Sequence, residues 1–408
     1  MIKGSLLPEL PMTTSKTTAK KVMTKKTIYI VAGEESGDQI GGALMDSLTK
    51  NAKDMDLTFE GIGGQRMSSK GLRSLFPMNE LSIMGLLEIL PHIMNVLARL
   101  SQTVEDIKRL RPDLILTIDA PGFNFRLAKR LKPLNIPVIH ITAPTVWAWR
   151  PRRAERVAGY LSHLLTLFHF EPPYFTKHGL KTTFMGHPLV EKKLWDVSPD
   201  LYRKNNKIKK KQPLLCLLPG SRAGEIKTHL PIFLDTVEMI KASQSDLEVV
   251  VPTLPRFKDQ IKTALKERGI SVHITTDEAE KYQAMRASTA ALAASGTVTL
   301  ELGLCDTPMV VAYKANPISA AIVKKMLLTK HVSLANILLE KEVVPELLQD
   351  DCTASALSLK LNPLLKDKSD ARALQKKDLA KLQQLVQSDS GKTPSDTAAE
   401  IILETLKK

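Results

Sequence analysis

The chain has 408 residues, 43% of them hydrophobic and only 5% aromatic, and 58 Lys and Arg against 43 Asp and Glu give a formal net charge of +15. That length buries a large core and suggests two to three domains at about 150 residues each. The charge favours an anionic partner, whereas aromatics this scarce, none interleaved with the basic runs, argue against a nucleic-acid stacking platform.

Residues 1–26 are rich in Thr, Lys and Ser without a continuous apolar run, which predicts a disordered extension and not a secretory signal. An apolar strand over 27–33 then enters VAGEESGDQIGG (31–42) and an amphipathic helix. Strand, glycine loop and helix N-terminus make a phosphate-cradling turn. Here the turn carries Glu34, Glu35 and Asp38 and no basic residue. Three carboxylates repel a phosphate, so the turn has the backbone of a phosphate loop without its charge. A second strand over 57–63 leads into IGGQRM (62–67).

Residues 81–100, LSIMGLLEILPHIMNVLARL, are the most apolar stretch, with Glu88, His92, Asn95 and Arg99 on one narrow stripe. A core helix and a helix meeting lipid or acyl chains fit this pattern equally. No run of 18 apolar residues exists to span a membrane. A helix over 102–110 leads to the strand 113–120, which ends on Asp119 in IDAPGFN. An ionised carboxylate there is costly unless hydrogen-bonded, so Asp119 reads either as a general base with a raised pKa or as a cap at the Pro121 turn. After a helix over 124–132 come strands 136–142 and 163–168, with TAPTVWAWRPRR (142–153) between them. Trp147 and Trp149 beside Arg150, Arg152, Arg153 and Arg156 read as an anionic or interfacial patch, or as a solvated helix start.

The basic run RKNNKIKKKQP (203–213) is expected to be a solvated linker. Beyond it strands over 214–222, 247–253, 271–276, 290–295 and 309–314 alternate with helices near 230–242 and 257–268, and helices over 370–387 and 394–407 close the chain. Alternation of this kind predicts an α/β protein: two Rossmann-like domains, 27–202 and 214–380, facing a cleft, with terminal helices in 381–408. Ligands of such sheets bind outside the strands' carboxyl ends. There, LLPGSRAGEI either offers Ser221 and Arg222 to phosphate oxygens or is an ordinary strand-to-helix turn with a solvated arginine. SGTVTLE alone is a serine N-cap; beside that loop it offers Ser295, Gly296 and Thr297 to a diphosphate, with Glu301 placed for ribose hydroxyls.

Cys216, Cys305 and Cys352 are widely spaced with no CxxC, so neither a zinc site nor a disulfide framework is indicated, and a reducing compartment fits. SGKT (390–393) lacks the upstream glycine of a P-loop, and the histidines show no metal-ligand spacing. No metal and no cofactor are expected.

Taken in order, AGEESGD, GIGGQRM, IMGLLEIL, IDAPGFN, VWAWRPRR, MGHPL, LLPGSRAGEI, SGTVTLE, LANIL and VPELLQ resemble the lipid-A-disaccharide synthase family over about residues 28–349. The resemblance implies a metal-independent, inverting glycosyltransferase of two Rossmann-like domains, the GT-B architecture. It would transfer 2,3-diacylglucosamine from its UDP carrier to 2,3-diacylglucosamine 1-phosphate, forming a β-1,6-linked disaccharide and UDP. It implies a cytoplasmic protein peripherally bound to anionic lipids of the inner membrane, no nucleic-acid partner, and room for a homodimer. Carried over by motif, Asp119 is the base with Glu34 and Glu35 beside it. Ser221, Arg222, Ser295, Gly296, Thr297, Glu301, Asn336, Glu346 and Gln349 then line the donor side. Ser36, Asp38, Asn124, Trp147, Arg150, Arg153, Met84 and Leu87 fall on the acceptor or membrane side. The chain departs from the family pattern at Gly122, where a second acid is usual, and at Ala335, where a proline is. Rival readings are another UDP-sugar enzyme, such as a 2-epimerase or an N-acetylglucosaminyltransferase, and a non-catalytic basic binding protein.

Overall fold

The computed structural model describes residues 23–81, 89–316 and 328–408, with only the backbone of 89–93. Met84 and Leu87 lie outside the described residues, as does nearly all of the expected N-terminal extension. Strand β1 (Thr24–Ala32) begins inside that extension, three residues earlier than the apolar pattern predicts. Its first residues pair with Met55, Asp56 and Leu57 of β2 (Met55–Ile62).

The first domain is one seven-stranded parallel sheet. After β1 and β2 come β3 (Arg73–Ser74), β4 (Leu114–Ile118), β5 (Val138–Ile141), β6 (His163–Thr166) and β7 (Thr182–Phe184), in the spatial order β3-β2-β1-β4-β5-β6-β7. The second domain is a six-stranded sheet of β8 (Leu214–Leu218), β9 (Glu248–Pro252), β10 (His273–Thr275), β11 (Ala290–Ala294), β12 (Met309–Tyr313) and β13 (Glu346–Leu348), ordered β10-β9-β8-β11-β12-β13. Its pairs are also parallel. Helices cover both faces of such sheets, which is why central strands such as LILTI and LLCLL are apolar throughout instead of alternating. In each sheet the strand order reverses once between neighbours, at β1/β4 and at β8/β11, and those two switch points are where a crevice opens.

The two domains share one apolar core. A contiguous buried cluster runs from Ile28 and Leu116 through Leu189, Leu194 and Tyr202 on the crossover to Cys216, Leu300 and Met309. The basic segment at 203–213 is not simply a solvated linker. Helix Pro199–Asn205 takes its first residues, and the Arg203 guanidinium donates to Ala287 O, Lys209 O and Gln212 O at 2.7–3.0 Å. The C-terminal end likewise does not stay with the second domain. Helix Pro394–Leu406 packs on helix Glu35–Asn51 of the first, with Ser47 Oγ donating to Asp396 Oδ1 at 2.6 Å and Ser395 N to Glu191 Oε1 at 2.7 Å. The single helix expected over 370–387 is two, Asp370–Leu379 and Leu382–Val386.

Of the apolar stretch 81–100, residues 82–88 lie outside the described residues, and 89–100 open a long helix. Helix Ile89–Leu110 buries Leu100, Val104 and Ile107 against the first sheet, while Met94, at 74% exposed, faces outward. Arg99 sits between them, clamped bidentate on Glu80 at 2.7 and 2.9 Å and lying 4.7 Å over Phe76.

Candidate active site in the interdomain cleft

The β1/β4 switch point gathers two carboxylates. Glu34 is the extended residue before helix Glu35–Asn51, with no capping bond from its side chain. Asp119 follows β4 directly. Burial raises the Asp119 carboxyl above the ordinary range, against the N–H of Ala120, which lowers it. Burial also raises Glu34; the Asp119 charge raises it further, and the Arg222 guanidinium of the other domain opposes both. Glu34 therefore senses Asp119 beside it and Arg222 across the cleft, which puts three of the expected residues in one electrostatic environment.

The backbone that presents Asp119 is unusual. Asp119 and Ala120 both adopt left-handed conformations, with φ of 50° and 44°. Such φ values disfavour any residue with a Cβ, and Asp tolerates them better than Ala. The turn is held by Asn124, fully buried, whose Nδ2 donates to Asp119 O at 2.7 Å and to Ile118 O at 3.2 Å, and by Asp119 N donating to Ile141 O at 3.0 Å. Asn124, expected on the acceptor side, thus positions the aspartate from beneath. Gly33 is required by proximity: a Cβ there would lie 2.5 Å from the Cβ of Ala120. Gly122, where the family pattern has an acid, looks onto open space.

At the β8/β11 switch point, Gly220 has φ of 133° and a Cβ on it would meet Glu225 at 2.4 Å. Glu225 accepts from Ser221 N at 2.9 Å and Arg222 N at 3.3 Å, and pairs with the Arg222 guanidinium at 3.1 Å, forming a capping box at helix Ala223–Ser243. Two further residues hold this loop, and the sequence reading missed both. Arg256 donates to Ser221 O at 3.0 Å. His229, fully buried, bridges Pro219 O and Lys314 N, each at 3.0 Å, joining the loops after β8 and β12. Gly296 and Thr297 stand exposed after β11, and Ser295 donates to Val332 O at 2.9 Å. Glu301 lies one turn further on, paired with Lys281 Nζ at 2.6 Å and with the Tyr282 hydroxyl at 3.1 Å.

Several expected site residues have other work. Asn336 is fully buried: its Nδ2 donates to Val344 O and Glu346 Oε1, and its Oδ1 accepts from Val343 N and Val344 N, all at 2.8–2.9 Å. No capacity is left for a ligand. Glu346 also accepts from Val332 N and Ser333 N at 3.0 and 2.9 Å, so the pair shapes the segment that holds Ser295. Gln349 touches Ala315 N at 3.4 Å. Asp38, expected on the acceptor side, is buried; its carboxylate accepts from Gly64, Arg66 and Met67 N at 2.8–3.1 Å and caps helix Gln65–Ser68. Ser36 and Glu35 are exposed in the first turn of their helix.

Trp147 is not a surface aromatic. Its Nε1 donates to Glu171 at 3.2 Å, and its ring meets Phe170 edge-on. Glu171 was also missed: it is 2% exposed, accepts from Leu167 and Phe168 N, and burial pushes its carboxyl up to about 7. Arg150 is exposed and lies 4.5 Å over Trp149; Arg153 is half-buried, 5.1 Å over Phe125, and burial lowers its pKa. The loop does meet the second domain, where Leu328 N donates to Ala148 O at 2.9 Å. Among the described residues no group of His, Cys, Asp or Glu is arranged to hold a metal.

Two parallel sheets, each with candidate loops at its switch point, make an α/β protein of the GT-B type. Solved UDP-sugar enzymes share that architecture. A putative UDP-N-acetylglucosamine 2-epimerase from Listeria monocytogenes aligns with a TM-score of 0.60 at 14% identity, covering 94% of this chain and 96% of its own. MurG from Acinetobacter baumannii aligns with a TM-score of 0.53 at 12% identity, covering 93% and 99%. Sequence comparison is more specific. The sequence model of the lipid-A-disaccharide synthetase family matches residues 28–402. The lipid-A-disaccharide synthase of Rhodospirillum centenum is 43% identical over 384 residues, covering 93% of this chain and 95% of the relative. That of Rickettsia felis is 40% identical over 390 residues, covering 95% and 97%. The chain belongs to the lipid-A-disaccharide synthase family and is a glycosyltransferase.

Proposed function

We propose that this chain transfers 2,3-diacylglucosamine from its UDP carrier to the 6-hydroxyl of 2,3-diacylglucosamine 1-phosphate, by a single inverting displacement without a metal. The acceptor oxygen attacks the anomeric carbon as the bond from that carbon to the diphosphate breaks. Asp119 takes the hydroxyl proton, and the burial that raises its pKa makes its carboxylate a stronger base. The Asp119 charge in turn raises the carboxyl of Glu34 beside it. The negative charge that grows on the departing UDP meets Arg222, the hydroxyl of Ser221 and the start of helix Val298–Leu304, which supply fixed donors in place of a cation. Glu301 receives the ribose hydroxyls. Asn336, Glu346 and Asn124 act through the loops they hold.

The observation that carries this reading is the opposition of Glu34 and Asp119 on one domain to Arg222 on the other. This supports a reaction centre with the proton acceptor on one domain and the leaving-group cation on the other. The +15 net charge and the exposed Met94 on helix Ile89–Leu110 support peripheral contact with anionic inner-membrane lipids. Among the described residues no helix is long and apolar enough to cross a membrane. The test is UDP release from the diacylated donor in the presence of a chelator. Release should require the acceptor; release without acceptor, or abolished by the chelator, refutes the mechanism.

A further inference from the structure

A polar seam outside the carboxylate cluster joins the domains. Glu301 accepts from the Tyr282 hydroxyl on Oε1 and from Lys281 on Oε2. The Tyr282 ring is buried, with two ammonium groups over it: Lys281 at 4.9 Å and Lys192 at 5.2 Å from the centroid. Lys192 lies in the turn Pro188–Lys192, on the crossover from the first domain. Its Nζ donates to the Tyr282 hydroxyl at 3.1 Å and pairs with Glu278. Glu278 in turn receives Arg66 Nη2 at 3.2 Å, and Arg66 belongs to the short helix that Asp38 caps. An unbroken run of contacts thus leads from the acceptor domain to the carboxylate assigned to the donor ribose.

The chemistry of the run is directional. Burial and the neighbouring carboxylates keep the Tyr282 phenol protonated, so toward Glu301 it serves as the donor. Lys192 occupies the phenol's lone pairs from the other side. Glu301 then keeps one accepting position on each oxygen, the number that two vicinal hydroxyls require.

We propose that Tyr282 is a positioning residue for Glu301, and that the run Arg66–Glu278–Lys192–Tyr282–Glu301 makes affinity for the donor nucleoside depend on how the two domains meet. This rests on the reading of Glu301 as the ribose contact. Tyr282 holds the carboxylate between its hydroxyl and Lys281; without the hydroxyl the carboxylate swings to the ammonium and presents a poorer pair of acceptors. Displacing Arg66 frees Glu278 to draw Lys192 away from the phenol, with a smaller effect at the same place.

The test compares binding of UDP and 2′-deoxy-UDP, together with donor KM and kcat, in the full-length wild type and in Glu301→Gln, Tyr282→Phe, Arg66→Gln and Arg66→Lys. Tyr282→Phe keeps the ring and its cations. It should weaken UDP about tenfold, as expected for a lost hydrogen bond to a charged group, and 2′-deoxy-UDP markedly less, with kcat within about threefold. Arg66→Gln should weaken UDP about twofold to threefold, as an exposed ion pair allows, and add nothing in the Tyr282→Phe background. Arg66→Lys should restore it. Equal weakening of both ligands by Tyr282→Phe, or a fall in kcat at constant KM, overturns the proposal. If Glu301→Gln leaves UDP affinity at the wild-type level, the ribose reading itself is wrong. If Glu301→Gln weakens UDP while Tyr282→Phe does not, the ribose reading stands and the positioning role of Tyr282 fails.

Discussion

Replacing Asp119 by Asn removes the proposed base with the least disturbance to its surroundings. Asp119 stands at φ 50° and is followed by Ala120 at 44°, so the substitute must tolerate a left-handed backbone. Asn does so, whereas Ala there adds about 1 kcal/mol of strain and would confound the measurement. The supports are main-chain contacts that survive the change: Asn124 Nδ2 on Asp119 O at 2.7 Å and Asp119 N on Ile141 O at 3.0 Å. A positioned general base contributes about 10²- to 10⁴-fold, so turnover should fall by that factor, about 3–5 kcal/mol in the barrier. The sign of the stability change follows from burial. The Asp119 carboxyl is raised in the folded state, so its ionised form opposes folding at neutral pH and the neutral amide does not. Asp119→Asn should therefore melt at the same temperature as the wild type or higher, and bind UDP with unchanged affinity by calorimetry. In the wild type, kcat should fall as pH drops through that raised pKa, earlier than for an ordinary carboxylate, and the variant's residual rate should lose this limb. Turnover within about threefold of wild type would refute the role. So would a parallel loss of UDP affinity and melting temperature, which would mean a damaged fold.

Other expectations follow from the same geometry. Gly33→Ala places a methyl 2.5 Å from the Ala120 Cβ and must push the two switch-point loops apart; turnover should drop about tenfold or more with secondary structure intact by circular dichroism, and wild-type rates would show the contact relaxes freely. Arg222→Ala should weaken UDP binding and turnover together, by about tenfold or more for a charged contact in the cleft, with unchanged affinity counting against the phosphate assignment. Asn336→Ala strands the N–H groups of Val343 and Val344, so it should cost about 3 kcal/mol in urea unfolding before any effect on KM. Glu171, with a carboxyl pushed up to about 7, opposes folding when ionised; its contribution to stability is present below the ordinary carboxylate pKa and lost as pH rises through about 7. Glu171→Gln should flatten the urea midpoint's pH dependence across that window.

The strands and the two switch-point loops were legible because parallel strands buried on both faces are continuous apolar runs, and LLCLL or LILTI can be little else. The chemistry at their ends was legible for the same reason: a carboxylate or arginine directly after such a run sits at a crevice. Side-chain partners distant in sequence were not legible. Nothing near Asn336 announces that Val343, Val344 and Glu346 will consume its amide, and nothing near Trp147 announces Glu171. Asp38 shared a loop with Glu34 yet turned inward, because the helix at Gln65–Ser68 needed its first N–H groups capped. The left-handed pair at Asp119 and Ala120 escaped notice because such turns usually advertise themselves with glycine. The return of Pro394–Leu406 to the first domain escaped because amphipathicity marks a buried face without naming its partner.

The most direct test of the central claim is the structure of the product. Purified protein, both acylated substrates and a chelator should yield one equivalent of UDP per disaccharide, with nuclear magnetic resonance showing a β linkage to the 6-position of the acceptor. An α linkage, a 2-epimerised sugar nucleotide, or UDP without disaccharide would contradict the account.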